Sequence, residues 1–149
     1  MKKETYTLVL NSQNATNRIG TVKNKYQYYV NWSSFLPKPE NINQKYSVKF
    51  TCTTLSTASI PDIFSLNIDF GGSNCYDQSN SKSTFMGLMY PIGNNGTYYY
   101  IQSKYSDNGA VTIEYPNNNM ITIGLNSIVN GSANTWATES YIVLEFTPI

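Results

Sequence analysis

Histidine is absent from this chain of 149 residues. Without imidazole, the chain cannot build a Ser-His-Asp or Cys-His catalytic pair, or a metal site that needs a histidine ligand. Its two cysteines, Cys52 and Cys75, are too few for a structural zinc site. The stretch "DFGGSNC" reads as a turn that ends a strand, because no helical pattern follows it to form a phosphate loop. These absences exclude the common nucleophilic, zinc-dependent and phosphate-loop enzymes.

Charge is also scarce. Charged residues make up 13% of the chain and the net charge is +1, whereas soluble domains usually carry about 25% charged residues. A net charge this small gives only a weak electrostatic attraction to a phosphate backbone, so we expect no nucleic-acid partner. Asparagine, serine, threonine and tyrosine take the place of charge, and these residues favour strands and turns over helix surfaces.

Long apolar runs are missing as well. No stretch approaches the roughly 18 apolar residues that a spanning helix requires, so we expect no membrane span. The opening "MKKETYTLVLNSQN" has no continuous apolar segment of the kind found in signal peptides. We therefore expect that the chain is not secreted by a signal peptide, and that its cysteines are reduced. The alternation around Cys52 predicts a buried thiol, and a bond between Cys52 and Cys75 stays open.

A pair of carboxylates is the only catalytic apparatus that this composition allows. Glycosidases need two such groups across a cleft, but no spacing among the acidic residues selects a pair. Asp69, Asp77 and Asp107 also lack the spacing of a calcium loop. We therefore expect no catalytic, cofactor-binding or metal-binding residues, and no enzyme activity. The acids are Glu4, Glu40, Asp62, Asp69, Asp77, Asp107, Glu114, Glu139 and Glu145.

What the chain does contain is alternation of apolar and polar residues, the pattern of strands with one buried face. In "YQYYVNWSSFLP" the alternation predicts that the buried face consists of Tyr26, Tyr28, Val30 and Trp32. It places Tyr29 on the polar face. "TFMGLMY" has apolar residues on both of its alternating faces, which predicts a strand buried on both sides. About nine strands are predicted, from the stretches "TYTLVLN", residues 26–33, "KYSVKFTCTTL", "FSLNIDF", "TFMGLMY", "TYYYIQS", "AVTIEY", "MITIGL" and "SYIVLEF".

Turn signals separate these strands. Asn-Gly pairs supply the positive backbone angles of tight turns, and Pro116 to Asn119 predicts a short turn between two strands. Convincing helical stripes are absent, apart from a single turn expected at "SSFLP". Short, evenly spaced strands predict one all-β domain over residues 1–149, a single jelly-roll β-sandwich of about eight antiparallel strands. An immunoglobulin-like sandwich is less favoured because Trp32 precedes both cysteines.

Three stretches resemble the small single jelly-roll capsid proteins of large and giant double-stranded DNA viruses. They are "YTLVLNSQNAT" with "YQYYVNWSSFLP", then "KYSVKFTCTTLST", then "VTIEYPNNNMITIGL" with "YIVLEFTPI". The resemblance implies a structural virion protein, either a penton that forms a homopentamer or a minor capsid protein bound to the major capsid protein. It also implies localisation in the virion, with assembly in the host cytoplasm. Tyr29 and Tyr99 are then the candidate subunit contacts.

Tyrosine leaves other functions open. Tyr98, Tyr99 and Tyr100 follow one another in a strand, so at least one of them faces outward. Exposed tyrosine suits a protein interface or a sugar ring, although it is also simply a residue that favours strands. The alternative function is a β-sandwich carbohydrate-binding module or lectin-like receptor-binding domain, with glycan as the partner. A hydrolase built on two acids is the third.

Overall fold

The structure is a computed structural model that describes residues 4–18, 25–38, 40, 44–56, 63–70, 76, 78–94, 99–103, 111–127 and 137–149. Two short 3₁₀ turns lie at Ser12–Asn14 and Trp32–Ser34. Within the described ranges, no helix is long and apolar enough to cross a membrane. The strands are β1 (Tyr6–Asn11), β2 (Asn17–Arg18), β3 (Lys25–Tyr29), β4 (Lys45–Ser56), β5 (Phe64–Asp69), β6 (Phe85–Asn94), β7 (Tyr99–Ser103), β8 (Val111–Glu114), β9 (Met120–Ser127) and β10 (Ala137–Pro148).

Backbone pairing divides eight of these strands between two antiparallel sheets. The first sheet has the order β1-β10-β4-β8, and the second has the order β3-β9-β5-β6. The chain passes repeatedly from one sheet to the other, so neighbours in a sheet are distant in sequence, as with Tyr6 opposite Phe146. This order is that of a single jelly roll. The predicted all-β fold class is confirmed.

The other two strands, β2 and β7, modify this plan. β7 pairs with β6 on one side and with Thr53–Ser56 of β4 on the other, whereas β8 pairs with Lys45–Val48 of β4. The long β4 therefore takes part in both layers, and β7 joins the two sheets along one side. β2 lies beside β3 at the outer edge of the second sheet. Its two residues are too few to show a period in the sequence, which explains why only nine strands were predicted.

The core lies between the two sheets and follows the predicted alternation. Tyr46, Val48, Phe50 and Cys52 of β4 are all buried, and Cys52 is a thiol rather than half of a disulfide. Burial raises the pKa of this thiol, so it is an inert core group. Cys75 lies outside the described residues. The second sheet contributes, among others, Leu66 and Ile68 of β5 and Ile121, Ile123 and Leu125 of β9.

Trp32 fills one end of this core. Its ring centroid lies 5.7 Å from that of Phe146, 5.9 Å from Phe35 and 6.1 Å from Phe70. The indole Nε1–H donates to the backbone oxygen of Asn118 at 2.9 Å. Trp32 is buried, as predicted, but it begins a 3₁₀ turn rather than continuing β3. The turn predicted at "SSFLP" is therefore present, and it begins one residue earlier, at Trp32.

The expectation that β6 is buried on both faces is wrong. Met86 and Met89 are buried, but Leu88 is 36% exposed. A bulge explains the pattern: Leu66 pairs with Gly87 and Asn67 with Phe85, which leaves Met86 as an extra residue. The bulge shifts the alternation of inward and outward side chains by one position. Apolar residues at both odd and even positions of β6 therefore do not mean that both of its faces are buried.

The connection between β8 and β9 crosses the sandwich. β8 pairs with β4, whereas β9 pairs with β3 and β5, so the strands on either side of Pro116 belong to different sheets. The backbone of Asn118 and Asn119 accepts hydrogen bonds from the Trp32 indole and from the Val30 N–H. These bonds fix the end of β3 against the crossing segment.

Candidate functional site

A groove of about 460 Å³ runs along β1, on the side where the sandwich is not joined by β7. One wall is Leu8–Asn11 of β1, and the other is Tyr28–Asn31, where β3 leads into the second 3₁₀ turn. Asn14, Ser34, Phe35 and Tyr141 complete the described lining, and none of these described side chains carries a charge. We call this feature the β1 groove.

Three large side chains at the β1 groove are exposed to solvent. Tyr29 is 62% exposed, Tyr141 on β10 is 51% exposed and Val9 on β1 is 49% exposed. The strand pattern singled out Tyr29 as an aromatic residue on a polar face, and the structure places it there. Tyr141 and Val9 were missed because they sit in strands whose tyrosine and valine content looks like ordinary core. Pairing of β1 with β10 brings Val9 and Tyr141 close together, and the packing of the two sheets places them in one groove with Tyr29.

β1 forms the edge of its sheet, and it lacks the usual protection against pairing with another chain. It pairs with β10 from Tyr6 to Asn11 in continuous register and has no partner strand on its other side among the described residues. The stretch "YTLVLN" contains no charge, no proline and no bulge, and those are the devices that normally block edge-to-edge association. The open backbone groups of β1 therefore lie beside the exposed Val9.

Two asparagines in the lining of the β1 groove have side chains that are fixed by local hydrogen bonds. Asn11 precedes the first 3₁₀ turn, and its Oδ1 accepts from Gln13 N–H at 3.0 Å. Asn31 precedes the second turn; its Oδ1 accepts from the Ser33 hydroxyl at 2.9 Å, and its backbone oxygen accepts from the Ser34 hydroxyl at 2.7 Å. Both amide oxygens are thus fixed, which orients both amide N–H₂ groups as donors.

A buried polar network anchors the first turn to β10. The Ser12 hydroxyl donates to Glu139 Oε2 and accepts from Ser140 N–H at 2.8 Å, while the Thr54 hydroxyl donates to the Glu139 backbone oxygen at 2.8 Å. Ser12, Thr54 and Ser140 are almost fully buried, so a substrate cannot reach these hydroxyls. The network lies where the register of β10 shifts between Ala137 and Ser140, and its role is to hold the turn.

The second predicted contact, Tyr99, begins β7 on the joined side of the sandwich. Its backbone pairs with Asn94 and with Ser56, but its side chain lies outside the described part of the structure. The backbone of Tyr99 therefore lies on a different side of the sandwich from Tyr29 of β3. Asp62, Asp77 and Asp107 also lie outside the described residues. Among the acids and cysteines that are described, no group of three lies close enough to hold a metal ion.

Three tyrosines, Tyr6, Tyr46 and Tyr115, lie near one another at one end of the first sheet. The Tyr46 hydroxyl donates to the backbone oxygen of Pro37, the Tyr115 hydroxyl donates to that of Leu36 at 3.3 Å, and the two rings are 6.4 Å apart. Burial, followed by the neighbouring hydroxyls of Tyr115 and Tyr6, raises the pKa of Tyr46. Burial also raises the pKa of Tyr115. These hydroxyls are structural donors that close the end of the core.

A second concavity, of about 510 Å³, lies on the outer face of the other sheet. Its walls come from β3, β5 and β9, and Gly124 forms its floor. We call it the Gly124 depression. Apart from the glycine, every residue that lines it is polar or charged: Lys25, Asn67, Asp69, Thr84, Thr122 and Asn126.

No model of a known protein family matches the chain, and no curated protein matches it.

Proposed function

We propose that this chain is a structural virion protein, a penton or minor capsid component that assembles with copies of itself and with a major capsid protein. The observation that carries the proposal is the β1 groove, where an unprotected edge strand lies beside the exposed side chains of Val9, Tyr29 and Tyr141. On this proposal the protein is located in the virion and is assembled in the host cytoplasm.

The chemistry of the β1 groove suits a protein contact. Interfaces are enriched in tyrosine and depleted of charge at their centre, and this groove has both properties. The open edge adds backbone donors and acceptors that a neighbouring strand can pair with. A contact between β1 of one copy and a different surface of the next is heterologous, and five such contacts close a ring if the rotation fits.

The stretches that carry the capsid resemblance also build the β1 groove. "YTLVLNSQNAT" supplies β1 and the first turn, and "YQYYVNWSSFLP" supplies most of β3 and the second turn. The single jelly roll gives these stretches a rigid frame, because Trp32 and the Ser12 network fix both turns. The resemblance and the geometry therefore support the same surface.

The first test is the molar mass of the purified chain, measured by light scattering after size exclusion. We expect an oligomer, with five copies for a penton. A monomer at every concentration would contradict assembly of the chain with itself.

Tyr29→Ser tests whether the β1 groove forms the contact. Loss of an interface aromatic that contributes to binding costs about 1–2 kcal/mol, which is roughly a 5- to 30-fold rise in Kd. The melting temperature should not change, because the side chain is mostly exposed. Tyr76→Ser is the matched control, since Tyr76 is 58% exposed but lies outside the groove. Equal effects of the two variants would show that the contact is elsewhere.

The second candidate function is carbohydrate binding, and a separate observation favours it. The Gly124 depression is lined by amides, hydroxyls and one charge of each sign, which are groups that bind sugar hydroxyls. The described residues that line it are all different from those that line the β1 groove, so the two functions do not compete for one surface.

A further inference from the structure

Gly124 lies at the centre of a grid of polar side chains on the outer face of the second sheet. Across the strands it pairs with Lys25 of β3 on one side and with Asn67 of β5 on the other. Along β9 its neighbours on the same face are Thr122 and Asn126, because Ile121, Ile123 and Leu125 point into the core. The four neighbouring positions on this face thus carry side chains, whereas Gly124 between them has none.

No described residue requires a glycine at this position. The backbone does not adopt a positive φ, and the register is continuous on both sides, so no bulge lies here. A Cβ atom at Gly124 would meet only Asn126 Oδ1, at an ordinary 3.8 Å. Glycine inside a strand costs conformational entropy, and such a residue often marks a place where a ligand approaches the backbone closely.

The groups around Gly124 offer both acceptors and donors. Asn67 uses its N–H₂ to bond the Ser65 hydroxyl at 3.0 Å, which leaves its Oδ1 to accept. Thr122 accepts from Gln27 Nε2 at 3.4 Å, which leaves its hydroxyl proton to donate. Lys25 and Asp69 add one charge of each sign. The charges of the described lining residues therefore sum to zero, which does not favour phosphate or sulfate over a neutral ligand.

Alternating donors and acceptors at the spacing of neighbouring strands, about 4.8 Å, match a ligand with several adjacent hydroxyl groups. The volume of about 510 Å³ lies within the range of small-molecule sites. We propose that the Gly124 depression binds a neutral saccharide, with a sugar ring over Gly124 and its hydroxyls bonded to Asn67 and Thr122. This inference rests on the second candidate function, which it makes specific, and it depends on a surface other than the β1 groove.

The test begins with an array of neutral oligosaccharides terminating in glucose, galactose, mannose, fucose or N-acetylglucosamine, together with sialylated and sulfated forms. The neutral sugar with the highest signal is then titrated into the ¹⁵N-labelled chain by NMR. We expect shifts of the Gly124, Asn67 and Thr122 amides. Absence of binding, or binding of the acidic forms alone, would overturn the proposal.

Gly124→Val fills the depression and should weaken binding by about tenfold or more, because even one extra methylene changes the fit of a pocket by this factor. Valine favours strands, so the variant should fold, as checked by circular dichroism. Asn67→Ala should weaken binding without filling the space. Thr51→Val is the matched control, on an exposed face of the first sheet.

Two further results would separate the proposals. Loss of binding in Tyr29→Ser with full binding in Gly124→Val would place the sugar in the β1 groove and overturn this inference. Failure of all sugar binding, with an oligomer still seen by light scattering, would overturn this inference and leave the assembly proposal intact.

Discussion

Trp32 is the residue on which the aromatic end of the core depends. Its ring contacts Phe35, Phe70 and Phe146, and its indole N–H bonds the segment that crosses between the sheets. Trp32→Ala should lower the free energy of unfolding by about 3–5 kcal/mol, because it leaves a large cavity. Urea denaturation measures this loss. Trp32→Phe keeps most of the packing and should lose clearly less; equal losses would mean that the hydrogen bond dominates.

The Tyr46 hydroxyl makes stability depend on pH in the alkaline range. Its pKa is raised by burial and then by the neighbouring tyrosines, above the value of about 10 for the unfolded chain. The folded state therefore favours the protonated hydroxyl. Its contribution to stability is complete below about pH 10 and is lost as the pH rises through the higher, folded pKa.

Thermal unfolding followed between neutral and strongly alkaline pH checks this prediction. The wild type should lose stability at alkaline pH, and Tyr46→Phe should lose less over the same range, although it starts lower because Pro37 loses its donor. Parallel curves for the two proteins would show that other groups cause the alkaline loss.

At the level of the strands, two glycines that look alike in the sequence have opposite roles. A Cβ atom at Gly87 of β6 would lie 2.5 Å from Cε1 of Phe50 on the facing sheet, whereas one at Gly124 of β9 would meet only Asn126 at 3.8 Å. Gly87→Ala should cost about 1–3 kcal/mol by overpacking. Gly124→Ala should instead stabilise by about 0.4–1 kcal/mol, through the entropy of the unfolded chain.

Urea denaturation of both variants at one temperature compares these effects. Adding Phe50→Leu to Gly87→Ala should recover part of the loss, since the smaller side chain makes room across the core. Equal changes in the two single variants would refute the distinction. Stabilisation at Gly124 would also strengthen the view that this glycine serves a ligand rather than the fold.

Strand positions and their buried faces could be predicted from the sequence because alternation is a local property. Tyr46, Val48, Phe50 and Cys52 illustrate this: all four are buried as expected. The bulge at Met86 could not be predicted, since it depends on how β5 and β6 align. β2 was too short to show a pattern.

For the whole molecule, the sequence predicts the jelly roll from the number and spacing of strands, but not which residues meet. Tyr29 could be chosen as an outward aromatic, whereas its neighbours Val9 and Tyr141 come from β1 and β10, which are far apart in the chain. The Gly124 depression was missed for the same reason. "MITIGL" reads as an ordinary strand until pairing places Lys25 and Asn67 beside the glycine.

The central place of β10 between β1 and β4 has a consequence for how the chain folds. Both neighbours precede β10 by a long stretch of sequence, and Tyr6 and Phe146 must come together to align them. Contacts of such long range make folding slow. During synthesis, β1 and β4 emerge well before β10. Until β10 is made, the strand edges with which they will pair to it remain exposed. A newly made chain therefore passes through a stage open to wrong strand pairing, in which a chaperone would raise the yield of folded protein.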